Sequence, residues 1–142
     1  MDIGGSDAAM GVGVQSSGRI VLGGKRHDMG DYRYALAAFT EDGEVDTSFG
    51  TSGVTATAGG LGYDMGIDAD DNIVVAGGTS ADTTHSADVV VLRYTPDGEL
   101  DDGFGDGGMV ALDFRGTRDL AVRMRIQEDG RILAGGLSDR YP

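Results

Sequence analysis

Cysteine is absent from the 142 residues, which excludes disulfides and thiolate metal sites and leaves the redox compartment open. Basic residues are scarce. Eleven Lys and Arg against 24 Asp and Glu give a net charge of −13 and a pI near 4.2, so bulk electrostatics disfavours nucleic acid and anionic membranes as partners. No apolar run approaches the roughly 20 residues that a membrane-spanning helix needs. The opening Met-Asp-Ile-Gly-Gly has neither a basic nor an apolar region of a secretory signal, so the signal of an exported parent is expected outside this segment. Capped amphipathic helices are missing too: apolar residues recur at a spacing of two, and Gly is 26 of 142 residues. GxSxG and GxxxxGK[ST] do not occur and no GxGxxG stands before a helix, which removes the sequence support for a hydrolase elbow, a P-loop or a dinucleotide fold.

What the chain does contain is repetition. TEDGEVDTSFGTSGVT at residues 40–55 and TPDGELDDGFGDGGMV at residues 95–110 align without a gap, 55 residues apart, with eight identities. Asp42/Asp97, Gly43/Gly98, Asp46/Asp101, Phe49/Phe104 and Gly50/Gly105 are among them. A second phrase, DAAMGVGVQSSGRIVLGG at residues 7–24, returns as DLAVRMRIQEDGRILAGG at residues 119–136, with a more divergent middle copy at residues 62–78. The units are therefore residues 7–60, 61–116 and 117–142, the last holding only the first half of the pattern, and a repeat of this kind governs the expected fold.

Within each unit the period-two alternation at residues 10–14, 63–67 and 122–126 predicts a first strand. The β-branched runs at 20–22, 73–76 and 132–134, each followed by Gly-Gly, predict a second strand ending at a bend. Third strands are expected at 34–39 and 89–94, and weaker fourth strands at 53–58 and 108–114. Asp42-Gly43, Asp97-Gly98, Ser17-Gly18 and Asp129-Gly130 are tight-turn signals, because glycine reaches positive φ without a Cβ clash. Residues 25–33 and 79–88 read as polar loops.

Four short strands per unit of about 50 residues, in tandem, predict an all-β chain of β-propeller-like blades, with a solenoid or β-sandwich as the alternatives. The chain is read as one partial propeller over residues 1–142, of about two and a half blades. The phrases DGxxDxxFGxxG and QxDGRIxxxGG, in that combination over nearly the whole chain, resemble the delta-60 repeat, a bacterial β-propeller repeat found in tandem in large, often exported proteins. Ser16-Ser17-Gly18 and Asp70-Asp71-Asn72 depart from its acidic-Asp-Gly turn. The resemblance implies a fold and an extracellular or cell-surface setting, and no reaction.

Candidate chemistry is sparse. Asp68, Asp70 and Asn72 place oxygen ligands at positions one, three and five as calcium loops do, although Ile73 and Thr79 stand where an EF-hand needs Gly and Glu. A solvated acidic hairpin is the alternative. Asp42, Glu44 and Asp46, with Asp97, Glu99 and Asp101, alternate like paired carboxylates, but their recurrence at the same place in the first two units predicts a structural use: Asp46 or Asp101 bonds loop amides while Phe49 or Phe104 anchors the loop. Gly43, Gly50, Gly98 and Gly105 belong to the same turns. His27 and His85 fall in equivalent loops without a third ligand. Gly11 and Gly13 align with Asp64 and Gly66 and with Arg123 and Arg125, so the innermost strands either line a polar channel or carry an Asp64–Arg123 ion pair between neighbours.

These features predict a non-enzymatic structural or interaction module that contacts protein or glycan through blade loops and takes no cofactor. The alternatives are a calcium-stabilised binding module and a fragment of a propeller hydrolase, lactonase-like or glycan-cleaving, whose site lies in other blades. Open strand edges predict further blades of a longer chain or a homo-oligomer as the partner.

Overall fold

Glycine-terminated turns and β-branched runs fold the chain into ten strands and no helix among the described residues. A computed structural model describes residues 6–28, 30–79, 87–114 and 118–139. The first sheet orders β1 (Ser6–Val14), β2 (Ile20–Asp28), β3 (Asp31–Phe39) and β4 (Val54–Ala58) as neighbours; the second does the same with β5 (Gly60–Ile67), β6 (Ile73–Thr79), β7 (Val89–Tyr94) and β8 (Met109–Leu112). The third holds β9 (Arg118–Ile126) and β10 (Ile132–Asp139). Every ladder is antiparallel, giving two whole four-stranded meanders and half of another.

Three local expectations need correction. Residues 25–28 continue β2 and residues 31–33 open β3, so most of the supposed polar loop at 25–33 is a hairpin, paired as Arg26↔Arg33 and His27↔Tyr32. Its ladder survives polar side chains because cross-strand contacts carry it: the His27 and Tyr32 rings stack with centroids 4.3 Å apart. The second polar stretch, with His85, lies largely outside the described residues. Second, the period-two run is broken. Met10, Tyr63 and Val122 are each the extra residue of a β-bulge in the first strand.

Third, the glycine pairs do not end strands. Gly24, Gly77 and Gly136 lie inside β2, β6 and β10, opposite the residue before each bulge. A Cβ there would stand 2.0 Å from the Ala8 carbonyl oxygen, 2.0 Å from that of Leu61 and 1.7 Å from that of Leu120. The bulge brings backbone against backbone, and only glycine fits.

Successive sheets stack face to face, β5 lying on β1, β2 and β3 and β9 on β5, β6 and β7. Glycine again permits the approach: a Cβ on Gly11 would meet Met65 Cγ at 2.6 Å, and one on Gly13 would meet Ile67 Cγ1 at 2.5 Å. The first junction buries Val21, Tyr34, Leu36 and Ala38 against Met65, Val75, Val90, Leu92 and Tyr94. The second, smaller one buries Val74, Ala76 and Val91 against Ala121 and Met124.

Two tyrosines close the first junction. Tyr34 Oη donates to the Gly78 carbonyl and Tyr94 Oη to Thr57 Oγ1, both at 2.9 Å. Burial raises both hydroxyl pKa values, that of Tyr94 to about 12. An unfolded tyrosine ionises near pH 10, so above that pH the unfolded chain binds fewer protons than the native one and stability falls as pH rises. In an alkaline titration, the 295 nm absorbance of these two phenols should rise only together with loss of the β circular dichroism signal. Ionisation of all five tyrosines ahead of unfolding would contradict this packing.

Candidate functional site

The repeated acidic phrase forms the rim of the first and second sheets. After β3 and β7 the chain turns at Asp42-Gly43 and Asp97-Gly98, with φ of 85° and 87° at the glycines. Gly43 N donates to Thr40 O and Gly98 N to Thr95 O, each at 3.0 Å. The same two-residue turn has two environments. Gly43 is exposed, whereas Gly98 is buried beneath Phe49 of the preceding sheet, and a Cβ on Gly98 would lie 2.5 Å from Phe49 Cζ. Gly50 N adds a 2.9 Å bond to Asp97 O across the junction.

Asp46 and Asp101 organise these loops. Asp46 Oδ1 accepts from Ser48 N at 3.0 Å and from Ser48 Oγ, and Oδ2 from Arg19 Nε at 2.6 Å. Asp101 Oδ1 accepts from Gly103 N at 2.9 Å and Oδ2 from Arg93 Nε at 2.6 Å. Bonding from Ser48 and then Arg19 holds the Asp46 carboxyl below the usual carboxylate range; the Gly103 amide and then Arg93 do the same for Asp101. Each guanidinium also covers a phenylalanine ring, Arg19 over Phe49 at 5.7 Å and Arg93 over Phe104 at 4.8 Å.

The two clamps take their arginine from different places. Arg19 belongs to the β1–β2 turn, where the second sheet has Asn72; Arg93 belongs to β7, where β3 has Ala38. One Asp–Arg–Phe trio is thus built twice from non-equivalent positions. Arg19 reaches further, its Nη1 donating to Pro96 O at 3.0 Å and Asp97 Oδ1 at 3.1 Å. Beside it Gln15, 3% exposed, donates from Nε2 to Asp71 O and Pro96 O, both at 2.9 Å. The sequence reading gives Arg19, Arg93 and Gln15 no role; the signal was the return of Gln15 and Arg19 as Gln127 and Arg131. Asp119, fully buried and accepting from Phe114 N at 2.8 Å, is a further omission.

The anchors differ in depth. Phe49 is wholly buried but Phe104 only partly, because Gly98 caps the first and the described residues hold no third Asp-Gly turn after a third strand to cap the second. An apolar cleft of about 820 Å3 opens at that place, lined by Val89, Val91, Phe104, Ile132 and Ala134 among others.

Of the three candidate calcium ligands, Asp68 and Asn72 bond each other within the β5–β6 turn. Asp68 Oδ1 accepts from Asp70 N and Asn72 N at 2.9 Å, and Oδ2 from Asn72 Nδ2 at 3.0 Å, which closes the β5–β6 turn on itself. Asp70 is exposed, and no three His, Asp or Glu groups converge among the described residues. The neighbouring Asp71 takes the positive φ, 64°, that Gly18 and Gly130 take in the other turns, and its carboxylate accepts from Ser16 N and Oγ of the first sheet. At the innermost strands, Asp64 does not pair with Arg123. Its Oδ2 accepts from Met124 N at 2.8 Å, a backbone bond across the second junction, while Arg123 and Arg125 are exposed.

Tandem four-stranded meanders stacked face to face and tied at the rim define a β-propeller repeat, present here as two blades and half of a third. The chain belongs to the β-propeller family described as Domain of unknown function (DUF5122), which matches residues 15–49 and 69–104. Both matches run from a first hairpin turn to a clamped phenylalanine. No curated protein matches the sequence. No helix among the described residues is long and apolar enough to cross a membrane.

Proposed function

We propose that this chain is a non-enzymatic structural and interaction module, an arc of propeller that joins further β-structure through its third sheet. The observation that carries the reading is the open side of β10: among the described residues it pairs with β9 alone, beside the apolar cleft and the half-covered Phe104. Unpaired strand edges next to apolar surface are where chains associate. The use of Asp46 and Asp101 supports a scaffold, since each spends its oxygens on its own loop and clamp. A setting on a bacterial surface or in a secreted protein, with loops contacting protein or glycan, follows the delta-60 resemblance and is part of the proposal.

Light scattering on the purified chain tests it. The expected mass exceeds the 14.6 kDa of one copy. A monomer at high concentration with slow amide exchange along residues 131–134 would mean that the β10 edge is already satisfied, and the reading would fail.

A further inference from the structure

We propose that the cleft beside β10 is selective: it accepts a β-hairpin of this repeat's own chemistry whose turn carries Asp-x-x-Phe and whose strand has a small residue, not arginine, where β3 has Ala38. This rests on the reading that the third sheet binds further strands, and names the occupant. The two whole blades show the rule. Each clamp contains one guanidinium, from the first hairpin turn when the third strand offers Ala38, or from the third strand as Arg93 when the hairpin turn offers Asn72.

The third sheet has made its half of that choice. Gln127 and Arg131 stand where Gln15 and Arg19 stand, and the Arg131 side chain, 74% exposed, bonds only the Asp129 of its own turn among the described residues. An incoming Asp aligned with Asp46 gives Arg131 Nε the partner that Arg19 has. An incoming arginine aligned with Arg93 would place a second cation at the same carboxylate. The remaining features of the cleft fit the same hairpin. Val89 and Val91 occupy the positions of Tyr34 and Leu36 and present the apolar face on which alternate residues of a third strand pack, while Phe104 awaits an Asp-Gly turn as Phe49 has one.

Residues 31–58, which form β3, the clamped turn and β4, are the matched probe. A fluorescent peptide of that sequence should bind the intact chain saturably by anisotropy and should lower the mass of any assembly seen by light scattering. Arg131→Asn should weaken it about tenfold, the loss of one charge-assisted bond. An Ala38→Arg peptide should bind the parent chain more weakly than the unsubstituted peptide and should regain affinity on the Arg131→Asn chain. Because Arg131 is exposed, that variant is expected to keep the parent circular dichroism spectrum. Absence of binding, or association that the peptide leaves unchanged, would overturn the proposal. Binding indifferent to both substitutions would overturn the selectivity and leave the strand-accepting cleft standing.

Discussion

Phe49→Ala should lower the unfolding free energy by about 3–5 kcal/mol, the usual consequence of removing a buried phenylalanine, and Phe104→Ala by clearly less. The two residues occupy the same place in one repeated phrase, so local sequence gives no reason for a difference. The neighbour does. Phe49 is wholly buried because Gly98 of the next sheet leaves room for its ring, and Gly50 N and Thr55 Oγ1 tie the same rim to Asp97 O and Gly98 O at 2.9 and 2.8 Å. Phe104 keeps the guanidinium of Arg93 on one side and the open cleft nearby. Removing Phe49 leaves a void at a junction that cannot collapse without moving the Asp97-Gly98 turn. Urea unfolding of both variants measures the difference. Equal losses would place the anchoring inside each blade and contradict the account of the junction.

Gly77→Ala is the second large effect expected. Its added methyl would sit 2.0 Å from the carbonyl oxygen of Leu61 and 2.9 Å from the carbon, a collision with backbone that no rotamer relieves. Overpacking of a tight site costs about 1–3 kcal/mol or more, and the bulge at Tyr63 would have to be undone to accept it. Gly135→Ala is the control: it lies in a Gly-Gly pair of the same phrase, yet nothing stands within 4 Å of its Cβ position. Removing a glycine from a strand interior without a clash is expected to leave stability unchanged or slightly raised. Thermal melts of the two variants read the contrast, and a neutral Gly77→Ala would mean that the bulge is not fixed by the glycine.

Fold class and most strands were legible in the sequence because turn glycines and β-branched runs act locally, and an internal repeat shows them more than once. The structural role of Asp46 and Asp101 was legible for the same reason. What escaped depends on contacts between distant residues. The bulges at Met10, Tyr63 and Val122 preserve residue type while shifting register, so they look like uninterrupted alternation. The hairpin at residues 25–33 looks like a loop because its side chains are polar, although its backbone ladder is complete. The arginine clamps were hidden by their own substitution pattern: Arg19 and Arg93 do not align, and only the folded chain brings each to its aspartate.

The junctions carry a meaning beyond adhesion. Gly11 and Gly13 leave space for Met65 and Ile67, whereas Asp64 reaches over to hold the amide of Met124, and Arg123 and Arg125 stand at the aligned positions of the third sheet. Blades that share turns, bulges and clamps are therefore not interchangeable parts. Moving the third unit into first place would set two arginines where a methionine and an isoleucine of the next sheet must lie. Space at the junction is thus set by a few residues of the first strands, glycine where the next sheet presses closest and a longer side chain where it does not.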